Sequence, residues 1–160
     1  MTRKKPWNRV NLPVYSICSS SGTSFNMNMI TYASQISMQP KRYLCGIYTG
    51  TQTLENVEKH GTFILQILSS EQYKLIDLLG KKSGKQVDKI KRLQKRNELM
   101  MWNEFPVLKN AIALMKLNVI NSMPCGDHHG FLCDVTDYKN LQDGFPLTLD
   151  ILREKKLIRI

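Results

Sequence analysis

The sequence predicts a mainly β protein, a β-barrel with several helices inserted or appended, in one domain spanning 1–160. Three observations carry that expectation. Short runs rich in β-branched and aromatic residues, such as "NLPVYSIC" and "RYLCGIYT", crowd the two ends of the chain. Segments with helix start and stop signals collect in the middle. Strands do not alternate regularly with long helices, which argues against a parallel α/β winding.

Taken in order, residues 11–18 read as a first strand that ends in the turn-rich "SSSGTS". The segment 29–37 predicts a second strand, stopping before Pro40. Residues 42–49 predict a third, with Tyr43, Cys45 and Ile47 alternating against Leu44, Gly46 and Tyr48. A short helix over 53–61 takes Thr53 as N-cap, Glu55 in its first turn and Gly61 as its stop. "TFILQIL" (62–68) reads as a buried strand, and "SSEQYKLIDLLG" (69–80) as a helix with Leu75, Leu78 and Leu79 on one side. In "GKKSGKQVDKIKRLQKR" (80–96), eight basic residues face one acid, Asp88. Val87, Ile90 and Leu93 recur there at every third position, which predicts an amphipathic helix with a basic polar face. Residues 105–124 return to strand, 126–139 form the next, and the close from Pro146 reads as a brief helix or turn running into an apolar stub.

Composition narrows the class. Hydrophobic residues make up 42% and charged residues 22%, with no repeat or low-complexity tract, so the chain is expected to be globular. The apolar runs 63–68 and 111–120 are too short, or broken by Lys116, to span a bilayer, and no membrane partner is expected. Basic residues followed by mildly apolar text at the start imitate a secretory signal. Pro13, Tyr15 and Ser16 interrupt the apolar part, so this text is read as mature sequence leading into the first strand. Cys18, Cys45, Cys125 and Cys133 are scattered, and reduced thiols in a cytoplasmic protein are expected. A net charge of +10 attracts phosphates of any kind.

Two neighbouring stretches carry chemistry. "SFNMNMITYASQIS" offers Asn26, Asn28, Thr31, Tyr32, Ser34 and Ser37 within twelve residues, enough amides and hydroxyls to bond a flat heterocycle such as a flavin edge. The same residues could instead satisfy turn backbones. In "YTGTQTLEN", Thr49, Thr51 and Thr53 gather at a helix N-terminus, where free amides and the dipole favour an anion. A ring binder beside a phosphate binder is the layout of a mononucleotide site.

"NMIT", "TLENV", "GTFILQIL", "LGKKSGKQVDK" and "GDHHGFLCDV" together resemble the flavin reductase-like family of FMN-binding split-barrel proteins, over about residues 11–155. The resemblance implies a homodimeric Greek-key split barrel that binds FMN. It places ring and ribityl contacts on Asn28, Thr31, Tyr32, Ala33, Ser34 and Ser37. It places the phosphate on Thr49, Thr51 and Thr53, with Ser83 and Lys89 as additions. His128 matches a histidine that relatives hold by the flavin or nicotinamide, which makes it the catalytic candidate; Asp127 and His128 could equally tie a turn together. The implied activity is an FMN-dependent oxidoreductase taking hydride from NAD(P)H and passing electrons to free flavin, a redox partner protein or another acceptor. The alternative is an FMN-binding electron carrier without turnover of its own.

Two other readings rest on single features. Cys125, His128, His129 and Cys133 are metal-capable, but in a strand His129 and Cys133 share one face while His128 points away, so no metal site is expected. The basic run lacks interleaved aromatics and a recognised module, so nucleic acid is not the expected partner.

Overall fold

The computed structural model describes residues 4–159; residues 1–3 and 160, the outermost positions of the expected domain, lie outside the described residues. Strands β1 (Tyr15–Ser20), β2 (Phe25–Ile30), β3 (Ala33–Ser37), β4 (Arg42–Tyr48), β5 (Thr62–Ile67), β8 (Ala113–Cys125) and β9 (His128–Asn140) form one sheet in the order β2-β1-β5-β8-β9-β4-β3. Every pairing in it is antiparallel. Strands β6 (Leu99–Trp102) and β7 (Phe105–Leu108) make a separate hairpin.

Connectivity forces this sheet to close. β2 and β3 stand at opposite edges, yet only Thr31 and Tyr32 separate them in the chain. Three peptide steps reach at most about 11 Å, whereas the edges of a flat seven-stranded sheet would lie about 29 Å apart. The sheet therefore curls until its edges meet, and the expected barrel results, with a seam at Thr31 and Tyr32.

Burial follows the curl. Ile17, Ile30, Cys45, Ile47, Phe63, Leu65, Leu117, Phe131 and Cys133 come from strands all round the sheet and form one cluster, the barrel interior. Leu54 and Val57 of α1 (Gln52–His60) pack into that cluster. The alternate residues Cys18, Met27, Ile64 and Leu114 face outward into a second layer with Leu79, Leu93, Val107, Leu108 and Leu152. A strand covered on both faces reads as a continuous apolar run, which explains "TFILQIL". Cys18, Cys45 and Cys133 are buried and Cys125 is exposed, and all four are free thiols. Burial pushes the Cys18 thiol up. No helix among the described residues is long and apolar enough to cross a membrane.

Several boundaries differ from expectation. The 29–37 strand is two strands, because at the seam the chain leaves one edge and joins the other; the Tyr32 carbonyl there accepts from the Gly46 amide at 2.7 Å. The helix at 53–61 starts at Gln52, and Thr51 rather than Thr53 is its N-cap: Thr51 is extended (φ −91, ψ 152) and its hydroxyl accepts from Leu54 N at 3.2 Å. Gly61 stops it in the left-handed region (φ 66). Thr51→Ala is expected to cost about 1 kcal/mol of stability, read as a lower urea midpoint at unchanged slope.

The 69–80 helix is a 3-10 turn, Ser70–Leu75, running into a single α-turn, α2 (Ile76–Leu79). The basic helix contracts to α3 (Lys89–Lys95), with Asp88 as N-cap accepting from Lys91 N at 2.9 Å. Residues 80–88 are turns instead, since Gly80, Ser83 and Gly84 weaken helix propagation. The 105–124 strand divides into β7 and β8, and β6 was not expected, because "LMMW" suits helix as well as strand. Asn103 and Glu104, both at positive φ, turn β6 into β7. The closing helix is α4 (Leu149–Glu154).

Candidate functional site

The seam opens into a groove made of three cavities that share walls. The first, about 280 Å³, is lined by Asn26, Asn28, Thr51, Thr53, Ser83, Gly84 and Lys89. A central cavity of about 590 Å³ includes Asn28, Thr31, Tyr32, Gly46, Tyr48 and His128. A third, about 430 Å³, adds Ala33, Ser34 and Asp127. Asn28 and Tyr48 border both the first and the second, and Thr31, Tyr32, Gly46 and His128 border both the second and the third. The groove thus runs from the N-terminus of α1, along β2, to the start of β9.

At the first end the elements supply an anion-binding character. Thr51 caps α1, and the amides of Gln52 and Thr53 precede the helical ladder. Lys89 reaches the same cavity from the first turn of α3; it is 3% exposed, and its Nζ donates to the Leu79 carbonyl at 3.2 Å. No carboxylate among the described residues pairs with it. Burial lowers the Lys89 ammonium to about 8. A buried cation without a counterion is costly, and an anionic ligand relieves that cost.

Thr53 is fully buried, and its hydroxyl accepts from Asn26 Nδ2 at 2.9 Å. It therefore forms wall and floor, and its expected capping role belongs to Thr51. Gly84 lets the 80–88 turn press on this wall: a Cβ there would lie 2.1 Å from Asn26 Oδ1. Ser83 holds the turn, its hydroxyl accepting from Lys85 N at 3.2 Å. Lys85 in turn ion-pairs with Glu55 on α1.

In the middle of the groove Asn28 Oδ1 is shut off from water and has no hydrogen-bond partner among the described residues. An orphaned acceptor costs about 1–3 kcal/mol, so this atom marks a place for a donor. Beyond it, the Tyr32 and Tyr48 rings flank His128 with centroids at 4.8 and 5.2 Å. Both tyrosines are more than half exposed. His128 Nδ1 bonds Asp127 Oδ1 at 2.7 Å, which fixes the imidazole and leaves Nε2 as its free nitrogen. Gly46 lets the seam approach β4, since a Cβ there would sit 3.2 Å from Tyr32 Cβ.

Asn28, Thr31, Tyr32, Ala33, Ser34, Thr51, Thr53, Ser83, Lys89 and His128 are thus brought to one groove. Two expected residues are not. Ser37 lies at the end of β3, opposite Arg42. Thr49 spends both its amide and its hydroxyl on the Asp127 carbonyl, each at 3.0 Å. These bonds brace the β4 and β9 ends and leave Thr49 outside the cavities.

Sequence reasoning missed Gly46, Tyr48, Gly84, Trp7 and Arg153, all of which line the groove. Gly84 had a signal, the "SG" in the basic run; Trp7 and Arg153 had none, because they come from opposite ends of the chain. His129 stacks on Phe131 at 5.4 Å, on the face of β9 that also carries the buried Cys133, whereas His128 faces the groove and Cys125 is exposed, so the metal-capable residues are divided between two faces. Among the described residues no three His, Cys, Asp or Glu side chains group around a metal position.

The family described as flavin reductase like domain matches residues 7–152. Solved structures share the fold. Flavin reductase PheA2 in its native state superposes with a TM-score of 0.73 at 24% identity, over 89% of this chain and 87% of that one. Flavoredoxin from Methanosarcina acetivorans gives 0.72 at 18%, over 88% and 76%. An FMN-binding protein from Thermus thermophilus, with bound 1-cyclohex-2-enone, gives 0.75 at 19%, over 91% and 84%. A comparison with curated protein sequences finds no match. A seam-bearing antiparallel barrel and a family match over nearly the whole chain lead to one conclusion: this protein belongs to the flavin reductase like family.

Proposed function

We infer that the chain is an FMN-binding oxidoreductase of flavin reductase type, acting as one domain, with NAD(P)H as electron donor and free flavin or a redox partner protein as acceptor. One observation carries the reading: Lys89, buried beside the N-terminus of α1 with no carboxylate partner among the described residues, lies in the same groove as the orphaned Asn28 Oδ1. An anion site joined to an unfilled acceptor fits a phosphorylated ring compound. The named solved structures include a flavin reductase and an FMN-binding protein, and this supports the choice of flavin.

In this reading Lys89, Ser83 and the first amides of α1 hold the phosphate, and Thr51, whose hydroxyl donates to the Tyr48 carbonyl at 2.9 Å and accepts from Leu54 N, fixes the helix start that presents those amides. Thr53 acts through Asn26, keeping the pocket wall in place. Asn28 Oδ1 accepts from a ring or ribityl donor, and Thr31, Tyr32, Ala33 and Ser34 border the ring along the seam. Bound FMN supplies hydride chemistry at its ring, so the protein needs no acid–base pair of its own for that step. His128, oriented by Asp127, holds or delivers a proton at Nε2, and the two tyrosines shield it from water. Exposed Ile36 on the edge strand β3 and Met38 in the turn after it, with Ile120 and Met123 on β8, offer apolar side chains for a homodimer. Four free cysteines suit a cytoplasmic setting.

Purified protein mixed with FMN and desalted is expected to stay yellow and to bleach on anaerobic addition of NADH or NADPH. Yellow protein that neither nucleotide bleaches would point to an electron carrier. Protein that emerges colourless, with no heat of binding in calorimetry, would remove the flavin reading.

A further inference from the structure

The central cavity extends past the residues used above. Its far wall is built by the two ends of the chain: the 3-10 turn Pro6–Asn8 and the segment to Val14 on one side, α4 on the other. These ends are tied together. Pro13 bridges Thr148, Leu149 N donates to the Leu12 carbonyl at 2.9 Å, and Asp150 N donates to Asn11 Oδ1 at 3.0 Å. Leu12, Val14, Leu149, Leu152 and Ile158 make this wall apolar, and Trp7 and Arg153 are the exceptions in size and charge.

Trp7 is 70% exposed although it lines the cavity, and among the described residues no ring or cation stacks on it. Arg153 is the reverse, a mostly buried cation with part of its bonding capacity unused. Its Nη1 pairs with Asp150 at 2.6 Å, but Asp150 is largely exposed and water screens that pair. The other edge of the guanidinium, Nε and Nη2, has almost nothing. Nη2 meets the Asn8 carbonyl at 3.5 Å, the outer limit of a hydrogen bond, and Nε is sealed from water with no partner among the described residues. An Nε/Nη2 edge is the fork that takes a carboxylate with two parallel bonds.

We propose that this end of the cavity, with Arg153 as its specificity-determining residue and Trp7 as its stacking surface, binds a planar aromatic carboxylate beside the flavin site. The carboxylate takes the Nε/Nη2 fork in place of the Asn8 carbonyl, and the ring lies between Trp7 and the apolar wall. The position beside a flavin rests on the function proposed above; the carboxylate site itself rests on Arg153 and Trp7 alone. A neutral ring amide such as a nicotinamide presents one carbonyl oxygen and a competing NH₂ group, and it fills the fork less well than two carboxylate oxygens.

Calorimetry decides it. Protein saturated with FMN is titrated with benzoate and with its neutral isostere benzamide. Wild type is expected to bind benzoate at least tenfold more tightly than benzamide. Arg153→Met removes that preference, Arg153→Lys restores only part of it, and Trp7→Ala weakens both ligands severalfold. Thermal unfolding of each variant, measured separately, shows that it is folded. Equal binding of the two ligands by wild type, or a preference that survives in Arg153→Met, overturns the proposal. Should the protein take up no FMN, the flavin reading falls, and the same titrations without flavin still decide the carboxylate site.

Discussion

Lys89→Met is expected to weaken FMN binding by about 10- to 100-fold, the equivalent of losing one charge-assisted hydrogen bond to phosphate. The same change should leave the flavin-free protein as stable as wild type or more so at neutral pH, because it removes a buried cation that has no counterion there. Proton linkage gives a second readout. Burial lowers Lys89 to about 8 from its ordinary 10.5. Between those values the unfolded chain keeps the proton that the folded flavin-free protein has released. The Lys89 contribution therefore raises stability as pH climbs from 8 to 10.5, and that gain is lost as pH falls back through 8.

A bound phosphate reverses the situation by holding the ammonium charged. FMN binding at pH 9 is then accompanied by proton uptake, seen as a heat that depends on the ionisation enthalpy of the buffer. The Lys89→Met protein should show no such dependence. Buffer-independent heat in wild type, with unchanged affinity in the variant, would place the phosphate elsewhere.

Phe63→Ala is expected to destabilise the fold by about 3–5 kcal/mol, a loss of roughly 10 °C in Tm for a chain of this size. Phe63 is fully buried in the barrel interior, where it packs in the same cluster as Ile17, Leu117 and Phe131. Its neighbours come from separate strands of a closed sheet and cannot all relax into the space left behind. Tyr138→Ala, at a position 71% exposed on β9, is the control and should fall within about 0.5 kcal/mol of wild type. Similar unfolding midpoints for the two variants would contradict the assignment of the interior.

Much of the architecture was legible in local text. α1 was found to within a residue because its signals are short-range: a threonine cap, an acid in the first turn and a left-handed glycine at the end. β4 and β5 were found because alternation or continuous apolarity reports burial directly. The misses share a cause. The 80–96 helix was inferred from a three-residue apolar spacing, but Ser83 and Gly84 divert the chain into turns that press against Asn26. β2 and β3 merged into one strand because nothing local marks Thr31–Tyr32 as the join between two sheet edges. Thr49 looked equivalent to Thr51 by alternation, yet its bonds to the Asp127 carbonyl depend on a partner 78 residues away.

Composition, turn chemistry and hydrophobic period were enough to establish a β-rich barrel, a well-punctuated α1 and a polar stretch too packed to be ordinary loop. Those properties are written in nearest neighbours along the chain. Only the tertiary structure decided that Lys89 and Asn28 share a groove, that Ser37 and Thr49 stand outside it, and that Trp7 and Arg153 face one cavity. Those meetings depend on how the sheet closes and how the two chain ends bridge, and such long-range closures leave no periodic trace in the residues that make them.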